Sequence, residues 1–427
     1  MRPEAESGGD LREATCPACG HHGAVGFFDG GAQPLATLGW PPSAEQARAM
    51  PRLRLDFVRC VDCGHVFNAA FDYAAVPYSD KPNLMFNRSA GWSDHLRALQ
   101  QRMLSTLPER PVVVEIGHGD GHFLRALAAA RPAGRYVGFD PHGAPEAAAG
   151  PVELRRALFV SSRHVADYRP DLIMSRHVLE HLGNPLGFIQ SLSFAAAWAE
   201  IHPALFLEVP CIDRALATGR TVDFYYEHNS HFTTESFMRM LSRSGVVVDC
   251  VGHGYDGEVV YGFVRLGKSR EQIERARASL AFGDRASRAG AAIRRQLEEL
   301  WASGRSVAVW GGTGKSAAFM NQMGMDAIRF PVVVDSDRDK AGTFVPGTGQ
   351  EIRSRDWLLA HPADVVIIPP QWRAGDIVRE MAGCGIRPAT VLIEFDGRLA
   401  DYFADSHPYR PGGEPARWAL EAVPASH

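Results

Sequence analysis

Residues 112–124 constrain the fold of this chain more than any other stretch. The run begins with three consecutive valines, which predict a strand buried in a parallel sheet. Glycines follow at positions 117, 119 and 121, and from Phe123 the pattern predicts a helix. Glycine has no Cβ, so its backbone can approach a ligand closely at the start of a helix. The stretch therefore predicts an α/β domain with a binding loop between this strand and this helix.

The residues around this loop indicate which ligand it takes. Glu115, near the end of the strand, and the glycines resemble the cofactor loop of class I S-adenosylmethionine-dependent methyltransferases. Dinucleotide enzymes use a similar glycine run, so the glycines alone leave both cofactors open. A carboxylate ahead of the loop disfavours a pyrophosphate and suits a cationic amino-acid cofactor. S-adenosylmethionine is therefore favoured, with candidate contacts at Glu115, Gly117, Gly119 and Asp120.

Two identical Cys-x-x-Cys-Gly motifs occupy residues 16–20 and 60–64. Each motif can place two thiolates on a tight turn, and two such turns form a tetrahedral zinc shell. The predicted ligands are Cys16, Cys19, Cys60 and Cys63. Four thiolates leave no open coordination position, so the zinc is expected to be structural. His65, beside the second motif, is expected to be a neighbouring or surface group rather than a ligand.

Length and charge limit the classes of protein and partner. A chain of 427 residues predicts two to four domains. The net charge of -4 provides no basic field, so nucleic acid is not an expected partner. Residues 1–15 are polar and do not resemble a signal peptide, and charged or polar residues interrupt apolar runs such as 191–210. We expect a cytoplasmic protein without a membrane partner.

From Pro111 onward, strands and helices are predicted to alternate, as in a parallel sheet with helices on both faces. The second strand, Tyr136–Phe139, ends at Asp140. An acidic residue about twenty positions after the glycine loop binds ribose hydroxyls in doubly wound folds, so Asp140 is a candidate cofactor contact. The alternative is an aspartate that caps the loop before Pro141.

A further strand, Asp171–Ser175, is followed by a segment with two histidines, His177 and His181. They would share one face if the segment were helical. The pattern His-x-x-Glu-His also resembles a metal motif of inverted metalloproteases. We do not favour that interpretation, because the motif follows a strand of a cofactor-binding sheet and has no identifiable third ligand. Ligands bind at this edge of such sheets, which makes His177 a candidate cofactor contact.

The densest polar cluster lies in residues 223–233, with two tyrosines, one glutamate and two histidines. His228 has a near-neutral ordinary pKa and could act as a base or an acid, oriented by Glu227 or by a tyrosine. The alternative is a hydrogen-bonded loop that packs Phe224 and Phe232 into the core. Upstream, Tyr78 is either a core or loop aromatic or a substrate-facing hydroxyl.

A second alternating unit begins with the strand Ser306–Trp310 and the turn Gly311–Ser316. The Gly-Lys-Ser end suggests a phosphate loop, but the full motif requires glycine where Val309 stands, so nucleotide hydrolysis is not expected. Lys315 and the start of the helix could still hold a substrate phosphate. The predicted domains are 1–75, which binds zinc, 76–266, which binds S-adenosylmethionine, and 267–427, a carboxy-terminal Rossmann-like domain.

Taken together, the cysteine motifs, the stretch Tyr225–Thr233 and the run Trp310–Lys315 with Asn321 resemble the sugar C-methyltransferases of deoxysugar pathways. The resemblance implies an α/β fold: a class I methyltransferase domain flanked by a small zinc-binding domain and a second Rossmann-like domain. It also implies that a nucleotide-linked 4-keto sugar loses a proton beside its ketone and that the enolate accepts the methyl group. The family's cofactor loop usually contains Gly-Ser-Asn-Asp-Gly, whereas residues 117–121 read Gly-His-Gly-Asp-Gly.

The resemblance also implies roles for individual residues. The implied catalytic residues are Tyr225, Glu227, His228, His181 and, by a weaker match, Tyr78. The candidate substrate contacts are Lys315, Asn321 and His231, the last standing where a tyrosine is common. Two other functions are weighed against this one: a methyltransferase acting on oxygen or nitrogen of a non-sugar metabolite, and a catalytically silent zinc-bearing binding protein.

Overall fold

The computed structural model describes residues 11–37, 40–76, 87, 89–144, 147–267 and 270–410. The chain divides into two compact units, Met1–Glu274 and Arg275–His427. The cysteine motifs and the glycine loop both belong to the first unit. The three domain boundaries expected from the sequence remain a prediction. Tyr78 lies outside the described residues.

The first unit combines an amino-terminal run of strands with a longer region in which strands and helices alternate. Its strands are β1 (Leu11–Thr15), β2 (His22–Gln33), β3 (Leu53–Cys60), β4 (Val66–Asn68), β5 (Val112–Ile116), β6 (Arg135–Phe139), β7 (Ala147–Ala149), β8 (Val152–Arg155), β9 (Leu172–Arg176), β10 (Ala204–Pro210), β11 (Ser230–His231), β12 (Val247–Gly254) and β13 (Val259–Arg265). Its helices are α1 (Ala44–Arg48), α2 (Ala90–Thr106), α3 (His122–Ala130), α4 (Ser161–Tyr168), α5 (Pro185–Trp198), α6 (Asp213–Thr218) and α7 (Thr234–Arg243).

An eight-stranded sheet with the order β12-β13-β10-β9-β5-β6-β8-β7 forms the centre of this unit. The strands from β10 to β8 run parallel, and β13, β12 and β7 add antiparallel edges. Alternate residues of each strand enter two separate cores. One core joins Val113 to α2 and α3, and the other joins Val114 to α4, α5 and α7. The predicted parallel sheet with helices on both faces is confirmed.

A second sheet, with the order β1-β2-β3-β4-β11, contains both cysteine motifs. Its last strand is not local: Ser230 pairs with Phe67, and His231 pairs with Val66. The core of this sheet is continuous with one core of the large sheet, because Val58, Phe67 and Phe232 pack in the same cluster as Val114. The segment predicted to bear the catalytic residues therefore belongs to the cysteine sheet.

The second unit follows the long helix α8 (Arg270–Ala302), which spans the boundary between the units. Its six-stranded sheet has the order β16-β15-β14-β17-β18-β19, and all neighbours except β18 and β19 run parallel. The remaining elements are β14 (Val307–Trp310), α9 (Lys315–Met323), β15 (Val332–Asp335), β16 (Ile352–Ser354), α10 (Trp357–Ala360), β17 (Val365–Ile368), α11 (Ala374–Cys384), β18 (Thr390–Phe395) and β19 (Arg398–Asp401). This order is that of a Rossmann-like sheet. Within the described ranges, no helix has both the length and the apolarity to span a bilayer.

The glycine loop between β5 and α3 is held by its own backbone. The amide of Gly117 donates to the carbonyl of Phe139 on β6 (2.8 Å), and the amide of Gly121 donates to the carbonyl of His118 (2.7 Å). Gly117 has a φ of +81°, which favours glycine. A Cβ at position 117 would also overlap the side chain of Val178, which follows β9. The loop is therefore packed directly against the segment after the neighbouring strand.

We expect Gly117→Ala to destabilise the first unit by about 2–4 kcal/mol. The left-handed backbone costs a non-glycine residue about 1–2 kcal/mol, and overpacking against Val178 adds a similar amount. Urea unfolding followed by circular dichroism measures the change. The control is Gly183→Ala, because a Cβ there meets nothing within 4 Å. Equal stability of the two variants would contradict the close packing of the loop.

Candidate active site and metal centre

Glu115 is a buried carboxylate at the end of β5 and is only 3% exposed. Its Oε2 has no hydrogen-bond partner in the part of the chain that the structure describes. Burial raises the pKa of Glu115 to about 8, although the positive charge of Arg176 opposes the shift. Such a group gains from a cationic ligand, because a positive charge nearby favours the ionised carboxylate. Glu115 therefore fits the ammonium group of an amino-acid cofactor such as S-adenosylmethionine.

Asp140, at the end of β6, faces the glycine loop. Its Oδ2 accepts a hydrogen bond from the amide of Gly119 (3.0 Å), and its Oδ1 accepts one from the amide of His142 (2.8 Å). The loop-capping alternative is therefore present in the structure, and it does not exclude ribose binding, since each carboxylate oxygen has a second lone pair. Asp120 has a similar local task, because its Oδ1 accepts from the amide of His122 at the start of α3 (2.8 Å).

His118 is a loop residue whose importance the sequence reasoning missed. It is buried, and its ring fills the space where a Cβ on Gly138 or Gly143 would lie. Among the described residues neither ring nitrogen has a hydrogen-bond partner. Burial lowers its pKa, so the ring is neutral at pH 7. The departure from the family pattern at this position was the available signal. The imidazole packs the glycine loop against β6.

His177 does not sit on a helix, so it shares no helical face with His181. Its φ is +53°, and only a short 3₁₀ turn, Leu179–His181, follows. Its Nδ1 lies 3.4 Å from Glu180 and its Nε2 lies 3.3 Å from Glu208. Burial disfavours the charged ring, but these two carboxylates outweigh it and raise the pKa of His177 to about 9. Contact between His177 and the cofactor remains a prediction.

Glu208, on β10, is a second buried carboxylate that sequence reasoning missed. Burial opposes its ionisation, but Arg176, His177 and His95 hold its pKa well below the ordinary value. Nε2 of His95 lies 2.6 Å from Oε2, and Nε of Arg176 donates to Oε1 (3.0 Å). The one sequence signal for these ion pairs was that Glu208 lies within an apolar run, which predicts a buried strand.

The polar cluster after β10 brings Tyr225, His228 and His181 together. The hydroxyl of Tyr225 lies 2.7 Å from Nε2 of His228, and the rings of His181 and His228 are 4.8 Å apart between centroids. Burial and the neighbouring His181 lower the pKa of His228 well below its ordinary, near-neutral value. Burial, followed by the charge of Glu180, raises the pKa of Tyr225. At pH 7 the pair is a neutral imidazole and a protonated phenol.

Glu227 makes contacts that the sequence did not suggest. Its Oε1 accepts from the amide of Thr37 (2.7 Å), and its Oε2 accepts from the amide of Ala36 (3.1 Å). Its backbone carbonyl lies 2.7 Å from Nδ1 of His181. The sequence left open whether Glu227 or a tyrosine orients His228. In the structure it is Tyr225 that hydrogen-bonds to the His228 ring. The carboxylate of Glu227 holds the loop after β2 against the cluster.

The alternative interpretation of this cluster, a loop that packs two phenylalanines into the core, also holds in part, because Phe224 and Phe232 are buried. His231 belongs to that packed part: its ring lies 5.1 Å from Phe57 and 4.8 Å from Phe224 between centroids. Burial lowers the pKa of His231 to about 3. Its role as a substrate contact remains a prediction.

In the second unit, the two candidate substrate contacts differ in their surroundings. Nζ of Lys315, at the start of α9, lies 3.7 Å from the centre of the Trp372 ring. The side-chain amide of Asn321 donates to the carbonyls of Ala317 and Pro346 (both 2.8 Å). Asn321 therefore holds the turn at Pro346, whereas Lys315 keeps an exposed cation at a helix start.

The four cysteines form a compact buried cluster, and all four sulfur atoms lie within 4.8 Å of one another. Two Sγ–Sγ distances are 3.7 Å (Cys16 to Cys63) and 3.6 Å (Cys19 to Cys60). A tetrahedral zinc with Zn–S bonds of about 2.3 Å requires sulfur atoms about 3.8 Å apart. The two turns also match, since the amides of Gly20 and Gly64 donate to the carbonyls of Cys16 and Cys60. The geometry of the cluster fits one metal ion bound by four thiolates.

Of the two positions expected for His65, a neighbouring group or a surface group, the structure shows the first, because His65 is fully buried. Its ring centroid lies 4.7 Å from that of Phe232, and neither nitrogen has a partner among the residues described. Burial lowers the pKa of His65 to about 3. It therefore packs the second cysteine turn onto the segment that follows β11.

Comparison with known proteins agrees with this geometry. A family model described as a methyltransferase domain matches residues 91–251, and one described as a C-methyltransferase C-terminal domain matches residues 266–388. The C-methyltransferase NovU of Streptomyces niveus is 25% identical over 394 residues, which cover 83% of this chain and 88% of NovU.

Two solved structures are also similar in part. Magnesium protoporphyrin IX methyltransferase from Synechocystis PCC 6803 with bound SAH is 14% identical and has a TM-score of 0.31, covering 42% of this chain and 84% of that one. A SAM-dependent methyltransferase from Aquifex aeolicus is 13% identical and has a TM-score of 0.29, covering 40% and 97%. From the two family models and the similarity to NovU, this chain is an S-adenosylmethionine-dependent methyltransferase whose carboxy-terminal part matches the C-terminal domain of C-methyltransferases.

Proposed function

We propose that this enzyme methylates the carbon next to the ketone of a nucleotide-linked sugar, through an enolate that its own residues generate. The observation that supports this most is the grouping of His228, Tyr225 and His181 in the cluster after β10. Methyl transfer to oxygen or nitrogen needs little more than proximity. Transfer to carbon beside a ketone needs a base and donors for an oxyanion, and this cluster offers both.

His228 is the proposed base. Its lowered pKa keeps the imidazole neutral at pH 7, so a lone pair is available without prior deprotonation. The same shift makes the ring a weaker base, and the developing enolate offsets this, because a negative charge nearby favours the imidazolium. We assign the contact of 2.7 Å to Nε2–H of His228 donating to the hydroxyl oxygen of Tyr225, which orients the ring. In this tautomer the basic lone pair is on Nδ1, and the phenol hydrogen is free for the substrate. His228 therefore takes the α-proton, and its orientation does not depend on substrate.

Tyr225 is the proposed donor to the enolate oxygen. Its raised pKa keeps the phenol protonated at pH 7. His181 suits that task less well than the sequence suggested. Its Nδ1 faces the carbonyl of Glu227, which can only accept, so Nδ1 carries the hydrogen and the neutral ring presents a lone pair at Nε2. His181 could donate to an oxyanion through Nε2 only as an imidazolium.

Glu115, the glycine loop and Asp140 are the residues that would hold S-adenosylmethionine, which supplies an electrophilic methyl group when bound. Glu115 would pair with its ammonium group, and Asp140 would accept from the ribose hydroxyls. Lys315, at the start of α9, would bind a phosphate of the substrate. The four-thiolate cluster would hold a structural zinc ion, since it has no ligand position to spare.

We expect about one zinc ion per chain after extensive dialysis, and we expect Cys60→Ser to lose most of it. Zinc binding by four thiolates is coupled to folding of the site, so the variant should melt at a lower temperature. Elemental analysis and thermal unfolding measure the two effects. Cys384→Ser is the matched control, because Cys384 lies outside the cluster. A folded wild-type protein without zinc would refute the assignment.

We expect Asp140→Ala to weaken S-adenosylmethionine binding by about 10-fold or more, through loss of charge-assisted hydrogen bonds. Isothermal titration calorimetry measures the affinity. Asp171→Ala is the matched control: Asp171 also accepts from a backbone amide, that of Val112, but at the opposite end of β5 (2.8 Å). Equal affinities in the two variants would remove Asp140 from the cofactor site.

We expect His228→Ala to fold, to bind S-adenosylmethionine normally and to lose methyl transfer by about 10²- to 10⁴-fold, the usual contribution of a general base. Tyr225→Phe should lose less, since it removes a donor and leaves the base. Wild-type enzyme should exchange the α-hydrogen of a nucleotide-linked 4-keto sugar with deuterated solvent in the absence of cofactor, and His228→Ala should not. Mass spectrometry reads both reactions.

The control for this experiment is His253→Ala, an exposed histidine on β12 that contacts Thr234. Near-normal turnover by His228→Ala would exclude it as the base and make His181 the next candidate. Methyl transfer by wild-type enzyme without any hydrogen exchange into substrate or product carbon would argue against the enolate route.

A further inference from the structure

Glu180 is a buried carboxyl group near the proposed base, and none of the substrate or cofactor contacts proposed above involves it. It follows β9 and is 1% exposed. Within the described residues neither of its carboxylate oxygens has a hydrogen-bond partner. One cation lies close, with Nδ1 of His177 at 3.4 Å from Oε1. A buried carboxylate whose oxygens lack hydrogen bonds is stabilised when a further positive charge binds next to it.

This carboxylate points toward two imidazoles. One donor atom each from Glu180, His181 and His228 lie within 4.8 Å of one another. Two imidazole nitrogens and one carboxylate oxygen are a common donor set for divalent transition metals. The spacing allows small side-chain movements to bring all three donors onto one ion.

The hydrogen bonds of the two histidines suit metal binding. Nδ1 of His181 donates to the carbonyl of Glu227 (2.7 Å), which leaves the lone pair on Nε2. A ligating histidine usually donates its other N–H to a carbonyl or carboxylate in this way, which fixes its tautomer. On His228, Nε2 is engaged with the hydroxyl of Tyr225 (2.7 Å), so Nδ1 is the nitrogen without that partner. Both rings are therefore oriented in advance.

We propose that Glu180, His181 and His228 form a second metal site, distinct from the cysteine cluster, that takes a divalent transition-metal ion such as Zn²⁺ or Co²⁺. Its nitrogen and oxygen donors differ from the four thiolates, so the two sites have different spectra. A metal ion bound at the second site occupies a lone pair of His228. Metal in excess of the cysteine site therefore inhibits methyl transfer, a consequence that rests on the proposed role of His228 as the base.

The binding test uses full-length protein already loaded with one zinc ion at the cysteine cluster. Titration with Co²⁺ should give one additional site per chain, with visible d–d absorption and without thiolate-to-cobalt charge-transfer bands. Added Zn²⁺ should remove that absorption by competition. Glu180→Gln should weaken Co²⁺ binding by about 10-fold or more, as loss of a ligand or of its support typically does. Glu298→Gln, on the exposed face of α8, should bind as wild type does.

Several results would overturn the proposal. They are no Co²⁺ binding by wild type at millimolar concentration, thiolate charge-transfer bands as the only signal, or equal affinity in Glu180→Gln and Glu298→Gln. Circular dichroism checks that Glu180→Gln folds. If it does not fold, His181→Ala replaces it, with the same expected loss of binding.

Measuring inhibition by added metal distinguishes the proposed metal site from the proposed role of His228 as the base. Excess Zn²⁺ should inhibit wild type, and Glu180→Gln should need about 10-fold more Zn²⁺ for any residual activity. Tight Co²⁺ binding with no effect on turnover would overturn the inhibitory role and the assignment of His228 as the base, while the metal site would stand. The titration itself requires no substrate, so it gives the same answer whether or not the enzyme enolises a sugar.

Discussion

The pairing of Ser230 and His231 with β4 is the contact on which the arrangement of the candidate active-site cluster depends. It makes part of the segment after β10 the last strand of a sheet in which one cysteine turn joins β1 to β2 and the other joins β3 to β4. Two further bonds strengthen the attachment. Glu227 accepts from the amide of Thr37, and the hydroxyl of Tyr226 accepts from the amide of Asp72 (2.8 Å). The cysteine cluster and the proposed base are thus connected through one short sheet.

Three buried carboxylates near the carboxyl ends of β5, β9 and β10 differ in how well they are paired. Glu208 has Arg176 and two histidines around it and stays ionised. Glu180 has one ion pair and no hydrogen bond within the described ranges, and Oε2 of Glu115 has neither. Burying an unpaired charge is unfavourable, so native proteins keep one mainly where a ligand or a reaction supplies the partner. Glu208 is therefore paired within the protein, whereas Glu115 and Glu180 are the groups for which we propose cationic ligands.

Local patterns in the sequence predicted the centre of the fold well. The valine run and its glycines specify strand, turn and helix within a few residues, so β5, the loop and α3 lie where expected. The edge strands β12 and β13 were missed, since hairpin pairing with β10 is decided by the sheet they join. The backbone of His177 was also unpredictable. Its left-handed conformation is offset by ion pairs to Glu180 and to Glu208, and Glu208 is thirty-one positions away.

The sequence predicted which residue types form the candidate site, but it did not predict which groups they contact. Two tyrosines, a glutamate and two histidines within seven residues indicate a functional cluster, and the structure does bring Tyr225 to His228. That Glu227 binds the loop at Thr37 could not be read from the sequence, because the two residues are 190 positions apart. Likewise, Glu180 could not be singled out within His-x-x-Glu-His, since only burial shows that its oxygens lack hydrogen bonds.

A base with a lowered pKa needs compensation at the moment it accepts a proton. Burial lowers the pKa of His228, and the neighbouring His181 and His231 lower it further. One oxygen of Glu180 lies within 4.8 Å of a nitrogen of the His228 ring, and a carboxylate there would favour the protonated ring. The carboxylate that we propose as a metal ligand therefore also has the position of a counter-ion to the proposed base once that base is protonated.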